Sequence, residues 1–199
     1  MAEKQVVAID FETYYDKECS VRGATPRNYV RHPKFEAFLV AIFAPDEFDF
    51  VGHPKDFDWS QLEGRTIVAH NASFEYAVIE QLILEFIIAK FAYTIHCTAD
   101  MCVYLQLPRS LKGAVFATYE KELSKDVRDG LKGKYWDDIL ADGTSEEVLE
   151  YALDDAKWCW YLWEHLSIKW NNKERALSKL TREMGYEGVS INIQALEEA

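Results

Sequence analysis

The feature that most constrains this chain is the octet Val6-Val7-Ala8-Ile9-Asp10-Phe11-Glu12-Thr13. Four apolar residues run directly into two acids spaced i, i+2. In an extended strand that spacing puts both carboxyl groups on one face. A continuous apolar run marks a central strand covered on both sides, so Val6 to Ile9 is expected to cross the middle of a sheet. Two carboxylates at its end repel each other unless a positive charge lies between them. Two structures fit: a strand running out into a solvated acidic turn, or a strand end built to hold a divalent cation through oxygen ligands.

A chain of 199 residues, 14% of them aromatic and nearly half hydrophobic, can bury a substantial core within one domain of ordinary size. No apolar run reaches the roughly 18–20 residues of a membrane-spanning helix. The stretch from Gln81 to Phe91 is too short and is interrupted by Glu85 and Lys90. The amino terminus lacks a basic segment followed by an apolar one, so no secretory signal is expected, and a cytoplasmic location is. Cys19, Cys97, Cys102 and Cys159 form no CxxC pair and no zinc-finger spacing, which fits reduced, structural thiols. The net charge of −12 argues against a generic nucleic-acid coat protein. It leaves open an enzyme that meets nucleic acid through metal ions and a few local cations.

Along the chain, Phe35 to Ala44, Phe48 to Val51, Gly64 to His70 and Thr94 to Thr98 read as further strands. Helical spacing is expected over Ser73 to Ala89, Ala99 to Gln106, Leu111 to Glu122 (with Ser110 as N-cap) and Lys173 to Met184. A long helix is expected from Thr144 through Ile168, opened by a Thr144/Glu147 capping box. Residues Asp126 to Asp142 are polar and poorly patterned, and Gly185 to Asn192 reads as loop or strand. The segment Tyr14 to Lys34 is expected to be a long irregular loop. It carries Lys17, Arg22, Arg27, Arg31 and Lys34 against only Asp16 and Glu18, a local positive excess on an acidic protein. Strands interleaved with helices predict an α/β domain with a mixed sheet.

Three short stretches combine into a chemical pattern. Asp10-Phe11-Glu12 ends the first strand. Asn71-Ala72-Ser73-Phe74-Glu75 lies where a strand meets a helix. In Tyr151-Ala152-Leu153-Asp154-Asp155 the tyrosine and the last aspartate share a helical face at i, i+4. Each alone has a plain explanation as core aromatic, helix-entry residue or solvated acid. Together they offer four carboxylates and one tyrosine from three elements, about the set of anionic oxygens that two divalent ions roughly 3.5–4 Å apart require.

At this point the chain resembles a known family. Asp10-Phe11-Glu12-Thr13 is similar to the first motif of the DEDD 3′–5′ exonucleases, Asn71 to Glu75 to the second, and Tyr151 to Asp155 to the third in its tyrosine-bearing (DEDDy) form. The Gly23…Tyr29…Pro33 loop resembles phage-type family A DNA polymerases. So do His70 to Glu75, Leu107-Pro108-Arg109-Ser110-Leu111, Lys125-Asp126 with Gly130-Leu131, and Leu180 to Asn192. The resemblance implies a ribonuclease-H-like (DnaQ-like exonuclease) fold, a mixed five-stranded sheet with helices on both faces. Residues 1–170 would form the exonuclease domain, and 171–199 a helical segment resembling the start of the link to a polymerase domain.

The implied activity is hydrolysis of phosphodiester bonds at the 3′ end of single-stranded or frayed DNA, as in proofreading, with two Mg²⁺ or Mn²⁺ ions. A polymerase domain would be the partner, in cis or in trans, and no membrane would be involved. A phage-encoded chain would work in the host cytoplasm. By the same resemblance Asp10, Glu12 and Asp155 would hold one ion, Asp10 and Glu75 the other, and Tyr151 would orient the attacking water. Thr13, Asn71 and Phe74 would meet the terminal nucleotide. Arg22, Arg27, Arg31, Arg109 and Lys112 are the candidates for strand phosphates. One departure stands out: the second motif ordinarily ends in aspartate, and here the position holds Glu75, whose extra methylene moves the carboxylate by somewhat more than 1 Å. Two alternatives stay open, an RNA-trimming exonuclease of the same group and a catalytically weakened strand-binding or structural domain.

Overall fold

The structure is a computed structural model that describes residues 6–124 and 126–188. The apolar octet forms β1 (Val6–Thr13) at the centre of a five-stranded sheet. On one side β1 pairs antiparallel with β2 (Ala37–Ala44), which pairs in turn with β3 (Phe48–Gly52). On the other it pairs in parallel with β4 (Thr66–Ala69), followed by β5 (Thr94–Cys97), giving the order β3-β2-β1-β4-β5. The expected mixed sheet is therefore present.

The two-residue period of β1 divides the core. Val7, Ile9 and Phe11 join one buried cluster, beneath α2 (Ala72–Leu84). Ala8 joins the other, beneath α7 (Ser145–Leu166). By the same alternation Asp10 and Glu12 stand on the α7 face. Helices cover both sides of the sheet, each burying an apolar stripe that would otherwise meet water. The remaining helices are α1 (Pro26–Tyr29), α3 (Thr98–Tyr104), α4 (Leu111–Tyr119), α5 (Asp126–Gly130), α6 (Trp136–Ala141) and α8 (Asn172–Glu187). Helix α8 lies along the outer edge of β5, where Arg182 is buried and donates to the Ile95 carbonyl at 3.1 Å. An edge strand with free backbone groups is thereby covered.

Several local expectations change. The loop after β1 contains α1, with Pro26 at its start and the Thr25 hydroxyl accepting the Asn28 amide at 3.3 Å, an N-cap followed by a residue whose φ suits a first turn. Helix α2 stops at Leu84, five residues before the expected Ala89, because Phe86 takes a left-handed conformation (φ 57°) just past the C-cap. The poorly patterned stretch 126–142 folds into α5 and α6, anchored by buried Leu131 and Ile139 against the α7 side of the core. Ser110 caps α4 as expected, accepting the Gly113 amide at 3.2 Å. The Thr144 capping box does not form, since Thr144 makes no side-chain cap bond. Of the Gly185 to Asn192 stretch, residues up to Glu187 extend α8, and 189–192 lie outside the described residues.

Candidate active site

The acids of β1 sit beside an irregularity in the sheet. Glu12 pairs with Leu39 and Thr13 with Ala37, so Phe38 is an extra residue on β2 at the point where the acids emerge. Bulges of this kind increase strand twist and re-aim side chains. Above this face, α7 carries Tyr151 and Asp155 one turn apart, and the Tyr151 hydroxyl donates to the Asp155 carboxylate. The fourth acid arrives from the other layer. Strand β4 runs parallel to β1 and turns at Asn71, whose left-handed backbone (φ 84°, ψ 48°) starts α2 without a side-chain cap bond. Asparagine tolerates that conformation better than most residues. Glu75 follows in the first turn, only 2% exposed.

These groups act on one another electrically. Burial pushes the Asp10 carboxyl well above the usual carboxylate range, reinforced by the charges of Glu12, Asp155 and Glu75 and opposed by Arg128. Glu12 is pushed up to about 8 by burial and then by Asp155, again opposed by Arg128. Burial also raises Glu75, with its own backbone N–H favouring the charged form and Glu12 disfavouring it. Its Oε2 is buried with no hydrogen-bond partner among the described residues. Tyr151 is raised by burial and then by Asp155, Glu12 and Asp10, so its hydroxyl keeps its proton and can donate but not act as a base.

Four carboxylates from β1, α2 and α7 thus share one field, and each makes the others harder to ionise. A hard cation with oxygen ligands suits that donor set, and the buried Glu75 Oε2, without a hydrogen-bond partner among the described residues, has a lone pair to offer one. Among the described residues, no three His, Cys, Asp or Glu side chains already converge as a closed coordination shell.

The substrate-contact candidates fall into groups. Thr13 is buried, and its hydroxyl lies 2.7 Å from that of Tyr29, which donates to the Tyr14 carbonyl at 2.5 Å; the ring centroids of Tyr29 and Phe74 are 6.0 Å apart. Thr13 and Phe74 therefore meet through Tyr29, a residue the sequence reading did not single out as functional. Asn71 is exposed.

The cations are dispersed. Arg27 donates to the carbonyls of Tyr186 and Glu187 at 2.9 and 3.0 Å, with its guanidinium over the Tyr186 ring. It fastens the end of α8. Arg109 is paired with Asp100 at 2.9 Å, while its carbonyl receives a bond from His70 Nε2 at 2.7 Å. Arg22, Arg31 and Lys112 are exposed. Arg128 was missed as well. It lies within the stretch without readable periodicity, and its relation to the acids is a product of tertiary structure.

No protein-family model matches this chain, and no curated protein matches it. Among solved structures it is similar to Brucella melitensis NrnC with bound Mg²⁺ (TM-score 0.62, 18% identity, covering 96% of this chain and 90% of that one). It is also similar to the apo form of a nuclease (TM-score 0.60, 18% identity, 96% and 90%). A third likeness is to the catalytic core of RRP6 from Trypanosoma brucei (TM-score 0.56, 14% identity, 92% and 46%). At these identities the likeness is one of fold, and the architecture is the expected ribonuclease-H-like, DnaQ-like exonuclease fold.

Proposed function

We propose that this chain is a metal-dependent 3′–5′ exonuclease that removes nucleotides from the 3′ end of single-stranded or frayed DNA. The observation that carries the reading is the set of four carboxylates from three elements in one field, with the buried Glu75 Oε2 unpartnered among the described residues. The fold shared with NrnC bearing Mg²⁺ supports it.

Asp10, Glu12 and Asp155 would hold one divalent ion, and Asp10 with Glu75 a second, Mg²⁺ or Mn²⁺ in either place. When bound, such a pair lowers the pKa of a water and offsets the charge that develops on the attacking and leaving oxygens. The chain's own groups do the rest. Tyr151, which keeps its proton, is restricted to hydrogen bonding and orients rather than deprotonates. Thr13, tied to Tyr29 through its side chain, presents backbone rather than a free hydroxyl donor to a terminal nucleotide. Asn71, exposed at the start of α2 and making no cap bond with its side chain, would meet the same nucleotide. Helix α8, fastened by Arg27 and Arg182, would then mark the start of a link to a polymerase domain, in cis or in trans, and the activity would be proofreading.

A 5′-labelled single-stranded oligodeoxynucleotide incubated with Mg²⁺ or Mn²⁺ should shorten stepwise from its 3′ end, and Asp10→Ala should slow this by about 10³-fold, the scale of losing a central electrostatic contributor. No shortening by the wild type, or equal shortening by the variant, overturns the reading. An oligoribonucleotide of the same length tests the sugar: faster cutting of RNA would replace DNA as the substrate while leaving the chemistry intact.

A further inference from the structure

Strand β4 ends at Ala69, and two residues, His70 and Asn71, reverse the chain into α2. Asn71 takes a left-handed conformation there and makes no side-chain cap bond, so its own side chain does not hold the reversal. The imidazole of His70 does. It is half-buried, and both ring nitrogens are engaged. Nδ1 lies 3.0 Å from the hydroxyl of Thr98, the first residue of α3, and Nε2 lies 2.7 Å from the carbonyl of Arg109, just before α4. Thr98 is fully buried, and its hydroxyl oxygen also lies 3.3 Å from the Cys159 sulfur on α7 and 3.3 Å from the Ala69 carbonyl. Cys159 is 1% exposed and stands four residues after Asp155, on the same face of that helix.

Donor and acceptor rules order these contacts. A carbonyl only accepts, so Nε2 carries the proton toward Arg109. Burial keeps the ring neutral, lowering its pKa to about 4 from 6.5. Nδ1 therefore has a lone pair and accepts the Thr98 proton, which leaves the Ala69 carbonyl as a longer contact. The Thr98 oxygen in turn accepts from the Cys159 thiol. The bonds thus run one way, from α7 through α3 to the entrance of α2. Those two helices carry Asp155 and Glu75, and Glu75 lies in the first turn after the entrance.

We propose that His70 is a positioning residue of the acid cluster, holding the start of α2 to α7 through Thr98 and Cys159 and so setting where Glu75 stands relative to Asp155. This rests on the exonuclease reading for the role of the ions those acids would hold. His70 itself touches neither ion nor strand.

The test uses His70→Asn, His70→Gln and Thr98→Val in the full chain. Asparagine places an acceptor oxygen near the position of Nδ1 and can keep the Thr98 bond. Glutamine places an amide near Nε2 and can keep only the Arg109 bond. Mn²⁺ affinity is measured by electron paramagnetic resonance of the free ion, without turnover, and kcat and KM are measured on a single-stranded oligodeoxynucleotide. His70→Gln and Thr98→Val are each expected to weaken Mn²⁺ binding about tenfold and to lower kcat by about 10- to 100-fold, the range seen when the support of metal ligands is lost, with KM within about threefold of wild type. His70→Asn should keep Mn²⁺ affinity within about threefold. A knot that serves stability alone would give variants that melt lower yet bind Mn²⁺ and cut as wild type does, and that result overturns the proposal. Rescue by glutamine and not by asparagine overturns it too, since the ring would then act on the Arg109 turn. Thr98→Val nearly keeps the shape of its side chain and carries the test if the His70 variants do not fold. A wild type that binds Mn²⁺ in a His70-dependent way without cutting DNA sinks the exonuclease reading and keeps the positioning role; one that cuts, with variants of unchanged affinity and kcat, does the opposite.

Discussion

Asp10 and Asp16 lie six residues apart, and the fold drives them in opposite directions. Asp16 accepts bonds from Lys34 Nζ at 2.8 Å, the Tyr14 hydroxyl at 2.9 Å, and the backbone amides of Glu18 and Cys19 at 2.8 and 2.7 Å. Those donors, the lysine first, hold its carboxyl well below the usual range. Asp10 has burial and three carboxylates instead, and is pushed well above that range. The same contrast separates the two regions. In the loop after β1, Lys34 also pairs with Glu18 at 2.7 Å, and Arg27 is committed to α8. Two of the five cations that the sequence shows there, Lys34 and Arg27, are thus committed to structural contacts, and Lys17, Arg22 and Arg31 are exposed. At the strand end burial and neighbouring carboxylates raise the proton affinity of Asp10 and Glu12, with the charge of Arg128 acting against them. A charge that is fully partnered stabilises the fold, whereas charges gathered against their mutual repulsion mark a place where stability yields to chemistry.

The largest break of this contrast is at Glu75. Glu75→Gln keeps the shape and removes the charge, and is expected to cut exonuclease turnover by about 10²-fold, the size of losing one electrostatic contact in a dry site. The same variant should melt at a higher temperature than wild type without divalent ions, since it relieves the field on Glu12 and Asp10. Glu75→Asp tests the departure from the usual motif: turnover equal to or above wild type would show that the extra methylene is a handicap, and a loss like that of Gln would show that this site is built around glutamate. Turnover of Glu75→Gln within threefold of wild type would remove Glu75 from the site.

A smaller effect separates protons from cations. Glu12 binds its proton up to about pH 8 in the folded chain, against an ordinary carboxyl value of 4.5. Its folded pKa is raised, so the stability it adds is complete below pH 4.5 and is lost as pH rises through 8. His70 and His96 act oppositely. Burial first, and nearby arginines, lower both to about 4 from 6.5, so their contribution is complete above pH 6.5 and is lost on acidification toward 4. Between pH 6.5 and 8 only the acid cluster slopes. In EDTA the midpoint of thermal unfolding should fall across that window by on the order of 5 °C, from about 2 kcal/mol. Millimolar Mg²⁺ should abolish the fall, and so should Asp10→Asn in part. A flat profile in EDTA would show that the four acids do not share a field.

What could be read in the sequence was whatever has a period. The alternation of β1 placed Asp10 and Glu12 on one face, and the i, i+4 spacing placed Tyr151 over Asp155; the structure has both, and brings Glu75 to them. What could not be read has no period to show. Helices of five and six residues such as α5 and α6 complete barely more than a turn, so Leu131 and Ile139 do not form a stripe in the sequence. The apolar run Phe86-Ile87-Ile88 continues the pattern of α2 past its true end, where a backbone reversal outweighs it. Thr144 has the residues of a capping box without its geometry. The cations were legible only as composition: nothing in the order of residues 14 to 34 separates Arg27, which holds α8, from Arg22, which is exposed.

That pair supplies the smallest and sharpest test of the contrast. Arg27 bonds two carbonyls at the end of α8, lies 5.0 Å from the centroid of the Tyr186 ring, and has its Nε buried without a partner among the described residues. Arg27→Gln removes two charge-assisted bonds and a cation–π contact from a partly buried position, and should cost about 1 kcal/mol, near 3 °C in the midpoint. It should leave the salt dependence of oligonucleotide binding as in wild type. Arg22→Gln should do the reverse, leaving the midpoint unchanged and lowering the salt slope. Two arginines five residues apart would then report the two uses of charge separately. If Arg27→Gln instead reduces the salt slope and spares stability, the loop's cations face the strand as a group, and the division between structural loop and functional strand end does not hold.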